Sequence, residues 1–170
     1  APEAELRRRV DEGAKIAEFV RGGGTFATTY LSGVVDETSM VHAGGAPGPL
    51  REVLGLWSEE IDNHPPGECD NRIVLDAPDL PAREYACRRY FDLVRIDDAE
   101  VLGTYGDGWY AGRAALTRKR TGEGEAWYIA ADADEQFLGD LYQRLCRDKG
   151  VEPLIAAGED VEVQQRCGNG

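Results

Sequence analysis

Residues 3–20 place Leu6, Val10, Gly13, Ala17 and Val20 at the three-four spacing of one helical face, with Ile16 and Phe19 widening the stripe. Pro2, Glu3 and Glu5 suit a helix start, and Gly22-Gly23-Gly24 ends it. Directly after the glycines comes "TFATTYL", short, uncharged and rich in aromatic and β-branched residues, which predicts a strand buried on both faces. A helix that turns through glycine into such a strand is half of a β-α-β unit, and that points to a layered α/β sheet. The strand that should precede the helix is missing, so the chain is expected to be a piece of something longer.

The remaining elements extend this beginning. "GPLREVLGL" predicts a short helix starting at Pro49, with Leu50, Val53 and Leu54 on one side. "WSEEI" and "RIVL" are short strands on either side of the turn-rich "DNHPPGECDN". "EYACRRYFDLVRI" alternates as one long strand, and "DD" turns it into "AEVLGTY". "RAALTRKRTGEGEAWYIAA" is a hairpin around Thr121-Gly122-Glu123-Gly124. Asp132 precedes Glu135 by three residues, the spacing of a capping box, and opens a helix whose stripe is Leu138, Leu141 and Leu145, flanked by Phe137 and Tyr142 and closed by Gly150. "DVEVQQR" then reads as a strand or linker. The predicted fold is an open α/β sheet with helices on both faces and an antiparallel extension.

Charge restricts the partners. The chain has 170 residues, enough for one domain, and its 32 acidic against 19 basic side chains give a net charge of −13. Such a surface repels phosphate backbones and anionic lipids, so neither nucleic acid nor a membrane is an expected partner. Identical copies repel one another as well, so self-contact is expected where charge is sparse. The loop "TSMVHAGGAPGPL", Thr38 to Leu50, fits that description: it carries no Asp, Glu, Lys or Arg in a chain that is 30% charged. Cys69, Cys87, Cys146 and Cys167 form no C-x-x-C pair and suit a reducing, cytoplasmic setting, although one or two disulfides stay open. His42 and His64 lack metal-ligand spacing, so no metal or cofactor is expected. No run reaches membrane-spanning length, and no signal segment opens the sequence.

Candidates for chemistry are sparse. Ser32 in "YLSGVV" follows a strand, but the first glycine of a nucleophile elbow is absent, so a polar turn is the better reading. Cys87 lies inside a strand pattern and reads as core. Asp36 and Glu37 are adjacent and point to opposite faces of an extended chain, whereas a retaining glycosidase needs carboxyls about 5–5.5 Å apart on different elements. They are better read as loop carboxylates that hold the neighbouring backbone in shape. His42 has no acid partner at a telling spacing. "GTYGDGWYAG" and "TGEGEA" are turns rather than phosphate cradles. Trp109, Tyr110, Trp127 and Tyr128 could stack on a sugar, but aromatic residues on paired strands belong more often to a core. No catalytic residue is assigned.

The order of "FVRGGGTFATTYLSGVVDE", "VHAGGAPGPLREVLG", "HPPGE", "AEVLGTY" and "WYAGRAALTRKRTGEGEAWYIAA", followed by the closing helix, resembles the middle, trimerisation domain of glycoside hydrolase family 42 β-galactosidases. The resemblance runs from Leu6 to Val163. It implies a flavodoxin-type fold, like that of class I glutamine amidotransferases, which lacks its first strand-helix-strand unit here. It also implies a catalytic barrel, absent from this sequence, in a parent enzyme that removes terminal β-D-galactose. The family's Asn-Glu pair is not found: Asn63, Asn71 and Asn169 precede His64, Arg72 and Gly170. The resemblance implies a non-catalytic, homotrimeric assembly domain over residues 1–160, with residues 161–170 leading toward a small β domain. Met40, Val41, His42, Pro47, Pro49 and Leu50 are then candidate contact residues, and Asp36 and Glu37 candidate loop-structuring residues. The alternatives are a loop packed on its own domain or on the barrel, a stand-alone amidotransferase-like hydrolase, or a sugar-binding module.

Overall fold

The fold is seen in a computed structural model that describes residues 13–36, 38–76 and 80–155, together with 161, 163, 164 and 166. The expected helix start at Pro2, Glu3 and Glu5, with Leu6 and Val10, lies outside the described residues, as do Glu37 and Cys167.

Helix α1 is described over 13–21. Ile16, Ala17 and Val20 face inward, whereas Phe19 is exposed and lies across Gly24. The helix ends in a Schellman motif, in which Gly24 N–H donates to Phe19 O at 2.9 Å and Gly23 N–H to Val20 O at 3.0 Å. Strand β1 (Thr25–Thr29) follows at once. A 3-10 turn (Gly48–Leu50) runs into α2 (Arg51–Leu54), the expected short helix, which buries Val53 and Leu54. The strands β2 (Leu56–Asn63), β3 (Asp70–Leu75), β4 (Glu84–Ile96), β5 (Glu100–Tyr105), β6 (Ala114–Thr121), β7 (Gly124–Ile129) and β8 (Ala131–Ala133) lead to α3 (Glu135–Asp148).

All eight strands join one open sheet in the order β1-β7-β6-β5-β3-β4-β2, with β8 beside β4. β1 runs parallel to β7, from Thr25 against Glu125 to Thr29 against Ile129. The other strand pairings are antiparallel. The β6–β7 hairpin is the one expected, with Thr121 paired to Gly124 across Gly122-Glu123. Its turn docks on the end of α1: Glu123 N–H donates to Arg21 O and Glu125 N–H to Gly24 O, both at 3.1 Å. A Cβ at Gly124 would stand 2.1 Å from Val20 O, so the approach requires glycine there.

Helices cover both faces, as expected. Because side chains alternate along a strand, β7 and the residues after it feed two cores. Trp127, Ile129 and Ala131 join Phe137, Leu141 and Leu145 of α3. Ala126, Tyr128 and Ala130 join Val20 of α1 and Val53 and Leu54 of α2. The guanidinium groups of Arg118 and Arg144 lie over the Trp127 ring, 5.3 and 5.4 Å from its centroid, and fasten α3 to the sheet by cation–π attraction.

Two expectations change. β1 is half-buried along its length rather than buried on both faces, because it is outermost and, among the described residues, has a sheet neighbour on one side only. The cap of α3 is Asp134, not Asp132. Asp134 Oδ1 accepts from Phe137 N–H at 2.8 Å, the third helical amide, while Asp132 lies in β8 and pairs with Arg89 at 2.8 Å. Phe137, Leu141 and Leu145 are buried, Leu138 packs at the margin and Tyr142 is exposed. Gly150 closes the helix in a second Schellman motif: Val151 N–H donates to Cys146 O at 2.9 Å and Gly150 N–H to Arg147 O at 3.0 Å.

Candidate functional site

The structure disperses the groups that could have formed a reaction centre. Ser32 sits in the turn after β1, and its hydroxyl shares a hydrogen bond with Thr28 Oγ1. Cys87 is buried in β4, and burial pushes its thiol up to about 12, so it stays protonated. The four aromatic residues do not form a platform. Trp127 and Tyr128 point into opposite cores and Tyr110 is buried, which leaves Trp109 exposed at 66%. Cys69, Cys87 and Cys146 are free thiols. Among the described residues, no group of His, Cys, Asp and Glu could hold a metal ion, and no helix is long and apolar enough to cross a membrane.

One carboxylate is enclosed by the sheet. Asp92 is 1% exposed and accepts hydrogen bonds from Ser58 Oγ and the Tyr128 hydroxyl. Tyr105 donates its hydroxyl to Ala130 O at 2.7 Å and to Asp92 O at 3.2 Å. Burial raises the Asp92 carboxyl against the lowering effect of its two hydroxyl donors. Burial, followed by the Asp92 charge, raises Tyr128 and keeps it a donor. This network lies within the sheet, with Ser58 at its half-buried margin, and ties the two cores together.

The uncharged stretch forms an arm beyond β1. Val35 and Val41 make an isolated antiparallel bridge, Asp36 N–H donates to Met40 O at 2.7 Å, and His42 N–H donates to Val34 O at 3.2 Å. Asp36 folds the tip: its Oδ1 accepts from Thr38 N–H at 2.8 Å, Thr38 Oγ1 at 2.6 Å and Met40 N–H at 3.0 Å. The base is equally fixed. Ser58 N–H of β2 donates to Ala46 O at 2.8 Å. A Cβ at Gly33 would stand 2.2 Å from Pro47 O, and one at Gly48 would stand 2.4 Å from the His42 ring.

The candidate contact residues separate accordingly. Met40 and Val41 are each 65% exposed, and Pro49 is exposed. His42 is half-buried against Gly48. Pro47 is buried, and Leu50 is half-buried and packs on the α1–α2 core. Glu37 lies outside the described residues. Sequence reasoning passed over two exposed apolar residues of the same excursion, Leu31 and Val35. Leu31 was absorbed into the strand pattern of "TFATTYL", and Val35 precedes the uncharged run, separated from it by Asp36 and Glu37.

The chain matches the family model described as "Beta-galactosidase trimerisation domain" over residues 8–152. It is 43% identical over 157 residues to β-galactosidase BgaA of Planococcus sp. (strain 'SOS Orange'), covering 92% of this chain and 23% of that protein. It is 37% identical over 155 residues to β-galactosidase BgaB of Geobacillus sp. (strain Y412MC61), covering 91% and 22%. Among solved structures it is similar to the crystal structure of β-galactosidase from Bacillus circulans sp. alkalophilus, with 42% identity, a TM-score of 0.88 and coverage of 93% of this chain and 23% of that one. The chain thus spans about 23% of the length of the curated relatives it matches first.

Proposed function

The chain belongs to the β-galactosidase trimerisation domain family, and on that basis we propose that it holds the protomers of a β-galactosidase together as a homotrimer. In this reading the bond-breaking residues lie on a catalytic barrel in another part of a longer chain. Residues 1–160 are the assembly unit, and residues 161–170 lead toward a further β domain. The substrate proposed for the whole enzyme is a terminal, non-reducing β-D-galactose residue, hydrolysed in a reducing cytoplasm that suits the free thiols.

The observation that carries the choice of surface is the arm. On a chain of charge −13, copies meet at least cost where charge is depleted; the arm offers Met40 and Val41 in a run from Thr38 to Leu50 that has no Asp, Glu, Lys or Arg, and Val35 lies just before it across Asp36 and Glu37. Its backbone is already ordered by Asp36 and by the packing of Gly33 on Pro47, so little conformational entropy is lost when a partner arrives. His42 and Pro49 flank the contact.

Met40→Asp and Val41→Asp, made in the full-length protein, test this. A carboxylate desolvated in an apolar contact should weaken the trimer by about a hundredfold or more. Sedimentation velocity over a dilution series reads the change. A trimer that persists at the same concentrations as the unsubstituted protein would discard the arm as the contact surface.

A further inference from the structure

Leu31 occupies a position that local chemistry disfavours. It is the third residue of a turn in which Ser32 N–H donates back to Thr29 O at 3.3 Å, and its φ is 64°. Turns give such a position to Gly or Asn, because the Cβ of other residues crowds the following carbonyl in the left-handed region. Leucine therefore strains the backbone. Its side chain recovers little in the domain: it is 46% exposed and belongs to neither apolar core.

The turn beneath it is firm. Tyr30 N–H donates to Ile129 O at 2.8 Å, and the Tyr30 ring stacks on Tyr90 with centroids 5.2 Å apart and planes 16° from parallel. Thr28 and Ser32 join their hydroxyls below the turn. Leu31 is thus held outward on a rigid seat. A strained backbone and an exposed branched side chain at one residue are a combination that folding alone does not select.

We infer that Leu31 is a protomer–protomer contact residue, whose side chain is buried by a second copy of the protein in the assembled state. The inference rests on the assembly reading above and adds a residue to its surface. The occupant is a second copy for two reasons. Leu31 opens the same excursion that carries Val35, Met40 and Val41, and from Thr25 to Val35 the chain has no charged side chain. On copies that otherwise repel one another, this places a second charge-free run beside the first, with Asp36 and Glu37 between the two.

Leu31→Gly and Leu31→Asn in the full-length protein provide the test, since both replacements suit a positive φ. Trimer dissociation is followed by sedimentation velocity over a dilution series, and thermal unfolding is measured below the dissociation concentration. The expected result has opposite signs: the trimer weakens by about tenfold or more, while the dissociated protomer unfolds at the same temperature or a few degrees higher. An unchanged dissociation constant, or a protomer that unfolds earlier, overturns the inference. If Met40→Asp and Val41→Asp break the trimer and the Leu31 variants do not, the assembly reading stands and this inference alone fails. If none of them disturbs the trimer, both fail.

Discussion

Asp92 offers the sharpest test of what holds the two cores together. Changing it to alanine removes the acceptor of two hydroxyl groups, those of Ser58 and Tyr128. Ser58 is half-buried and can turn to water, whereas Tyr128 is 1% exposed and cannot. One orphaned buried hydroxyl costs about 1–3 kcal/mol, and the small void left by the carboxyl adds about 1 kcal/mol. Asp92→Ala should therefore lose about 2–4 kcal/mol, a fall in Tm of about 4–16 °C for a chain of this size. Asparagine has the same shape. Its Oδ1 accepts from one hydroxyl and its Nδ2 donates to the other, so both partners keep a bond and the charge is gone. Burial raises the Asp92 carboxyl, so the unfolded chain gives up this proton at a lower pH than the folded one. The stability that the protonated group confers is complete below the unfolded pKa and is lost as pH rises through the folded pKa. Calorimetry at pH 8 should place Asp92→Asn at or above the unsubstituted protein and Asp92→Ala well below both, with the first two converging in acid. Equal losses for Asn and Ala would refute the reasoning, since they would mean that an ionised carboxylate with two donors outweighs its burial.

Two further outcomes follow from named contacts. Asp134→Ala should cost about 0.5–2 kcal/mol by uncapping α3, whereas Asp132→Ala breaks a pair with the half-exposed Arg89 and should cost less than about 1 kcal/mol; urea unfolding in which Asp132 proves the costlier site would reject the cap assignment. Glu59 is held down to about 2 by its hydrogen bonds to Arg95 at 2.7 Å and Arg113 at 2.5 Å. Its contribution is present above the ordinary carboxylate range and fades as pH falls toward that value, so Glu59→Gln should flatten this part of the acid-unfolding profile, and an unaltered profile would count against the bridge.

Local pattern made most elements legible. "EYACRRYFDLVRI" reads as a strand because its apolar residues alternate, and β4 spans those same thirteen residues, Glu84–Ile96. The β6–β7 hairpin is announced by Gly122, whose positive φ the turn uses. Neighbours were not legible: β3 lies between β5 and β4, and β1 beside β7, because packing of the whole sheet decides pairing. Nothing near Asp92 marks it as buried, since its partners stand 34 and 36 residues away. The absence of charge along the arm could be read directly. Its rigidity could not, because that depends on Asp36 reaching the Thr38 and Met40 amides and on Gly33 meeting Pro47. Leu31 was hidden for a simpler reason: a leucine after a run of strand formers gives no sign of a left-handed turn.

The parallel pairing of β1 with β7 also has a temporal meaning. Thr25 meets Glu125, roughly a hundred residues later in the chain. At a synthesis rate of about 5–20 residues per second, the ribosome needs about 5–20 s to deliver the second strand after the first. Throughout that interval β1 lacks β7, and the apolar side of α1 lacks the core that Ala126, Tyr128 and Ala130 provide. The β1–β7 pairing is therefore among the last contacts of this sheet to form.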